Sequence, residues 1–408
     1  MQLSAMLKKL LAVCLLTLSS AGVLADNPLL DADHPDRYVV QKGDTLWDIA
    51  DRFLKSPWLW PEIWQVNPQI ANPHRIYPGD VISLQYIDGK PRLVLQRGQG
   101  REVKLSPRVR TEPADNAIPT IPLNHVEQFL TRPRIVDPDT VETMPYVVDV
   151  EESRLMGQVG RSLYVMGLDE AEPGQTLAIL RPGHVFREVT DDCWGYREGE
   201  PRTPRSDPYR LDRHRTAEGG VARLWSAVLA CNDLHTRWLG HELVEIGRVQ
   251  VKQPGNPGVV VLQQISREVK KGDLLAPPEQ SPWPLVFMPK PADPGLTGVR
   301  ILSVTNHLAG VGKYQVFALN RGRVDGVQPG QVFSIFRPGR TVMDEVKYAR
   351  NDVRLLANPD KAKVRLPDEY AGEGMVFRTF KHVSYALVMR AERPVKIGDK
   401  LTSPKNLH

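Results

Sequence analysis

A phrase of twelve residues occurs twice in this chain, and it narrows the possible folds more than any other feature. Glu172-Pro-Gly-Gln-Thr-Leu-Ala-Ile-Leu-Arg-Pro-Gly183 matches Gln328-Pro-Gly-Gln-Val-Phe-Ser-Ile-Phe-Arg-Pro-Gly339 almost position for position. A second pair of phrases closes each copy: Arg267-Glu-Val-Lys-Lys-Gly-Asp273 with Leu275 parallels Arg393-Pro-Val-Lys-Ile-Gly-Asp399 with Leu401. One structural unit is therefore built twice. Each copy carries Pro-Gly turns, alternation such as Val332-Phe-Ser-Ile-Phe336, and a Gly-Asp turn before a last strand, which predicts two β-barrels or sandwiches. The starts are offset by 156 residues and the ends by 126, so the first copy holds about 30 more residues in its middle. The first β-rich module is placed at 118–278, with a short amphipathic helix around His125 to Leu130, and the second at 297–408.

A different pattern occupies residues 38–84. Tyr38-Val39-Val40 is aromatic and β-branched and stops at Gly43, as a short strand ending in a turn does. Thr45 then has Asp48 at capping-box spacing, and Leu46, Ile49, Ala50 and Phe53 make an apolar stripe at i, i+3, i+4 and i+7. Pro57 and Pro61 offer first-turn starts for a second helix carrying Ile63, Trp64 and Val66, which Asn67-Pro68 ends. Pro78-Gly79 turns into a final strand from Val81 to Leu84. Strands this short must pair and bury one face under the helices.

The run Tyr-x-Val-x-x-Gly-Asp-Thr-Leu-x-x-Ile-Ala, followed by Asn67 and by Ile76-Tyr77-Pro78-Gly79-Asp80, resembles a LysM domain, the small βααβ module that binds N-acetylglucosamine-containing glycans. The resemblance implies a shallow groove between two loops. On this sequence one wall is Gly43, Asp44, Thr45 and Leu46, and the other is Asn72, Pro73, His74 and Ile76. Backbone N–H and C=O groups there suit an acetamido group, and apolar edges suit its methyl. Asp44 and Thr45 have local duties as well, in the turn and the helix cap. Four tryptophans, Trp47, Trp58, Trp60 and Trp64, fall in this module. Core packing is the reading for Trp60 and Trp64, while for Trp47 and Trp58 packing and stacking on sugar rings stand side by side. The domain is placed at 38–96, giving an α+β chain of one βααβ domain and two repeated SH3-like barrel or sandwich modules.

Residues 1–25 read as a signal peptide: Lys8-Lys9, an apolar run from Leu10 to Leu18, and Val23-Leu24-Ala25 at the cleavage site. The run is too short to span a membrane comfortably, and no transmembrane anchor is expected after it. Removing Lys8 and Lys9 lowers the formal charge from +5 to +3, with acids and bases interspersed, which is not a nucleic-acid-binding balance. Residues 97–117 form a flexible, proline-punctuated linker whose first part carries Arg97, Arg101, Lys104, Arg108 and Arg110 against Glu102 alone. Cys193 and Cys231 are the only cysteines left after Cys14 is removed, and in an oxidising compartment they read as a possible disulfide worth about 4 kcal/mol. Both lie in the longer middle of the first copy.

Signals for chemistry are few. Cys193-Trp194 superficially resembles the start of some cysteine-protease motifs, but no His-bearing context follows. His235 and His241 are six apart, share no helical face and lack an obvious third ligand, so no metal and no cofactor are expected. Leu319-Asn-Arg-Gly-Arg-Val-Asp-Gly-Val-Gln-Pro-Gly330 resembles the SH3-like barrel turn of the flagellar FlgT family. The order of parts resembles the secretin-associated LysM proteins of type IV pili, most closely in Trp60-Pro-Glu-Ile-Trp-x-x-Asn-Pro68 and the Arg-Pro-Gly repeat. That resemblance implies a non-enzymatic periplasmic protein that ties an outer-membrane secretin ring to peptidoglycan. A scaffold of another envelope machine, flagellar or secretory, and a LysM-targeted wall enzyme are the alternatives.

Overall fold

The computed structural model describes residues 29–64, 76–96, 118–131, 133–150, 159–187, 227–228, 238–279, 287–305, 310–348 and 359–404. The signal-peptide and linker expectations, and Cys193 and Cys231, lie outside the described residues. The chain divides into two compact units, one of residues 1–71 and 77–112 with 406–408, the other of residues 72–76 and 113–405.

In the first unit β1 (Arg37–Val39) leads through a glycine turn to α1 (Leu46–Phe53), whose start is fixed by Thr45. The Asp48 N–H donates to Thr45 Oγ1 at 3.1 Å, and the Thr45 hydroxyl donates to Asp48 Oδ2 at 2.7 Å. The apolar stripe of α1 is buried as its spacing requires. A 3₁₀ turn at Pro57–Leu59 runs into α2 (Trp60–Trp64). All four tryptophans are buried, and Trp60 meets Trp64 edge to face at 6.3 Å. Their rings serve the core of a domain too small to close without them, so Trp47 and Trp58 resolve as packing residues.

The last strand is longer than its sequence signal, and it has a partner. β2 (Val81–Ile87) pairs antiparallel with β1, Tyr38 opposite Ile82, and with β3 (Lys90–Gln96), Leu84 opposite Leu93. Asp88 and Gly89, both at positive φ, make the two-residue turn between β2 and β3. Asp-Gly is a hairpin signal in its own right, and it makes the sheet three-stranded. Arg92 Nη1 donates to the Glu62 carbonyl at 2.8 Å, tying α2 to β3.

The second unit opens with α3 (Leu123–Thr131), β4 (Pro133–Val136) and α4 (Pro138–Thr143). The strands that follow are β5 (Tyr146–Val150), β6 (Ser162–Met166), β7 (Thr176–Arg187), β8 (Ala227–Val228), β9 (Trp238–Gln253), β10 (Gly258–Ile265) and β11 (Leu274–Ala276). β5, β6, β10, β9, β7 and β11 pair in that order and β11 returns to β5, so the sheet closes into a six-stranded antiparallel barrel. β4 adds to the outer end of β9.

The remaining strands are β12 (Lys290–Pro291), β13 (Val299–Val304), β14 (Val316–Leu319), β15 (Gln331–Arg337), β16 (Thr341–Met343), β17 (Lys363–Arg365), β18 (Glu369–Thr379), β19 (Ser384–Ala391) and β20 (Lys400–Thr402). β13, β14, β19, β18, β15 and β20 close in the same order as the first ring. The repeat in sequence is thus a repeat in topology. β8, from the long middle of the first copy, crosses to pair with β13 of the second barrel. β16 and β17 form a separate ribbon between β15 and β18. In the second copy this ribbon occupies the place of the longer middle of the first.

The two repeated phrases meet inside each barrel. Arg181 of the first Arg-Pro-Gly donates through Nε and Nη2 to Asp273 of the first Gly-Asp at 2.9 and 2.7 Å, and both groups are buried. In the second copy Arg337 Nε stands 3.7 Å from Asp399. The barrels join through polar contacts: the buried Tyr385 hydroxyl donates to Glu242 at 2.7 Å, and buried Arg378 donates to the Phe129 carbonyl at 2.6 Å and to the more exposed Glu279 at 2.9 Å. Phe129 of α3 meets Tyr385 edge to face at 6.0 Å.

Candidate glycan-binding site

The described part of the site is the turn from Gln41 to Leu46. Gly43 has φ +100°, a conformation that costs an L side chain strain, and a Cβ built there would meet nothing within 4 Å. The backbone at Gly43 is thus open to an approaching ligand. Asp44 organises the turn rather than projecting from it. Its Oδ2 accepts the Gln41 N–H at 2.8 Å and the Tyr38 hydroxyl at 2.9 Å, and the Asp44 N–H returns to the Gln41 carbonyl at 3.2 Å. Burial and then the Asp44 carboxylate push the Tyr38 phenol up, which keeps it a neutral donor. The Arg52 guanidinium lies over the Tyr38 ring, 4.5 Å from its centroid.

A second turn lies beside the first. The Tyr77 N–H donates to Asp80 Oδ2 at 3.0 Å, Gly79 has φ +97°, and Gly79 N–H donates to the Val40 carbonyl while Val40 N–H donates to the Asp80 carbonyl, both at 2.8 Å. The end of β1 is therefore clamped between two Gly-Asp turns of one design. Sequence reasoning quoted Asp80 without giving it this role. The signal was present: a Gly-Asp pair whose carboxylate accepts the N–H three residues back also occurs at Lys270 to Asp273 and Lys396 to Asp399.

Among the expected site residues, Gly43 is exposed, Asp44 is half-buried, and the Thr45 and Leu46 side chains are buried. What 43–46 exposes is therefore mainly backbone, with the exposed Gln41 and Lys42 beside it. Asn72, Pro73 and His74 lie outside the described residues. Ile76 is completely buried and falls with the second unit, where its carbonyl accepts the Ile118 N–H at 2.9 Å. One wall of the expected groove is therefore described. His241, the histidine raised in the sequence, is buried on β9, and burial pulls its pKa down to about 4, so it is neutral at ordinary pH; His235 lies outside the described residues.

Residues 38–85 match the family model described as LysM domain. A 60-residue stretch is 38% identical to the uncharacterized protein YqbP of Bacillus subtilis (strain 168), covering 12% of this chain and 27% of that protein. The likeness spans about a quarter of that relative, and it concerns a module, not the whole molecule. The chain thus carries a LysM domain, a binding module without catalytic function of its own, which supports attachment to peptidoglycan. No helix among the described residues is long and apolar enough to cross a membrane.

Proposed function

We propose that this protein is a non-enzymatic adaptor of the periplasm that holds an outer-membrane secretin ring of the type IV pilus to the cell wall. The LysM match over residues 38–85, on a turn whose backbone is open at Gly43, carries the wall-binding half of the reading. By the resemblance stated for the sequence, the glycan-contacting residues are Gly43, Asp44, Thr45 and Leu46 together with Asn72, Pro73, His74 and Ile76, and the ligand is an N-acetylglucosamine-containing glycan. The other half rests on the resemblance stated for the sequence, in which the two barrels are the SH3-like modules that meet the envelope machine.

Cosedimentation of the full chain with purified sacculi tests the first half. A single shallow site predicts a Kd on the order of micromolar to millimolar. Gly43→Ala, which forces a side chain into the left-handed region, and Asp44→Ala, which releases the Gln41 and Tyr38 contacts, should each weaken retention several-fold. Unchanged retention in both would remove the 43–46 loop from the site. For the second half, the chain lacking 38–96 should still co-purify with the secretin while the ring is no longer held by sacculi. Recovery of a flagellar or secretion-system component in place of the secretin would assign the barrels to that machine.

A further inference from the structure

The two barrels join by a surface and a face that each exist twice, and each has one copy left over. The surface is the outer end of the β7–β9 ribbon, where Phe186, Leu239, His241 and Glu242 are buried and Glu242 receives the Tyr385 hydroxyl. The face is the outside of β14, β19 and β18. There Val316, Met375, Tyr385, Leu387 and Met389 point away from the barrel core, yet all are buried.

Hydrogen-bond register identifies the spare copies. Gly174 N–H donates to the Val251 carbonyl and Gly330 N–H to that of Val376, both at 2.7 Å, so Val251 and Val376 are equivalent. Counting outward places Thr341 where the first copy has Val185, and Lys363–Arg365 where it has Trp238–Gly240. The β16–β17 ribbon is the second copy of the docking surface, and its apolar side chains are exposed among the described residues: Met343, Val364 and Leu366 are 41%, 44% and 37% exposed, and Val346 is fully so. The spare face is the outside of β6, β10 and β9. Tyr164 at 38% exposure and half-buried Val259 and Val261 lie at its centre, with Gln250, Lys252 and Gln263 around them.

We propose that the chain associates head to tail, the β16–β17 ribbon of one copy docking on the β6–β10–β9 face of the next copy's first barrel. Charge favours this pairing. Arg340, Lys347, Lys361, Lys363 and Arg365 on and beside the ribbon stand against Asp344, Glu345, Asp360 and Asp368, an excess of one positive charge, while the turn after β6 presents exposed Asp169, Glu170 and Glu172. The polar rim of the spare face fits an interface that forms and separates, since each side must also stand in water. A contact between unlike surfaces closes into a ring when its rotation allows and otherwise runs on as a filament. This inference uses neither the LysM domain nor the secretin, and it fails or stands apart from them.

Sedimentation velocity on the full chain is the test. Association should rise with concentration, fall with added salt, and weaken about tenfold or more on Val364→Asp or on Tyr164→Asp. Both positions are exposed, and an unchanged thermal transition confirms that the variants fold. Each variant alone keeps one working surface of the wrong kind, but an equimolar mixture offers one intact pair. The mixture should give dimers and nothing larger. A chain that stays monomeric up to about 100 μM would overturn the proposal, as would a mixture that stays monomeric.

Discussion

The two barrels share one strand order and the same two motif pairs, yet they differ in how they hold their closing turn and in what covers their outer walls. In the first, Asp273 is gripped by both nitrogens of Arg181 and by the Lys270 N–H at 2.7 Å. In the second, Asp399 keeps the Lys396 N–H at 2.8 Å, but Arg337 stands off at 3.7 Å and is 29% exposed. On the outside the contrast reverses: the second barrel's β18 and β19 bury Met375 and Met389 where the first exposes Gln250 and Gln263. One backbone thus supports two surfaces. Strand pairing fixes the ring, and the outward side chains of alternate positions are free to follow their surroundings.

Cutting the buried pair should have the largest effect. Arg181→Met leaves Asp273 buried without its counter-ion and should cost about 3–5 kcal/mol in urea unfolding. Arg337→Met, at the looser and more exposed pair, should cost about 1 kcal/mol or less. Equal losses at the two sites would show that the barrels do not differ in this respect.

Next comes the pH dependence of the looser turn. Burial raises the Asp399 carboxyl from 3.8 to about 6, against the opposing pull of the Lys396 N–H and Arg337. A carboxyl raised on folding contributes stability that is complete below about 3.8 and is lost as pH rises through about 6, here about 3 kcal/mol at most. Asp399→Asn keeps an acceptor for Lys396 and should flatten the change in unfolding free energy between pH 4 and pH 7. Burial also raises Asp273, with Arg181 opposing it, so part of the slope should persist in the variant. An unaltered slope would sever the link to Asp399.

The outer faces can be exchanged directly. Met375→Gln places an amide in a buried position and should cost about 2–3 kcal/mol. The reverse change at the equivalent exposed site, Gln250→Met, should fall within about 0.5 kcal/mol. Paired melting curves of the two variants measure the asymmetry, and similar shifts in both would mean that the second barrel's face is not covered in solution.

Local signals were legible where the backbone itself imposed them. Thr45 with Asp48 announced the cap of α1, the spacing of Leu46, Ile49, Ala50 and Phe53 gave its buried face, and the Gly-Asp pairs marked turns found in both units. Residues 92–95 also read as a strand and lie within β3, but the Asp88-Gly89 turn that pairs it with β2 was a missed signal of the same kind. The candidate site was legible as a motif, but the roles within it were not. Asp44 and Thr45 spend their oxygens on the turn and the cap, which leaves the backbone at Gly43 as the open group.

The sequence by itself determined that one unit is built twice, because turn residues and strand alternation act over a few neighbours and reappear wherever the phrase reappears. Only the tertiary structure decided that Arg181 meets Asp273, 92 residues away, or that Tyr385 reaches Glu242, 143 residues away. It also decided which copy's outer wall is covered. Burial depends on what the rest of the chain lays across a surface, and a short motif does not encode that.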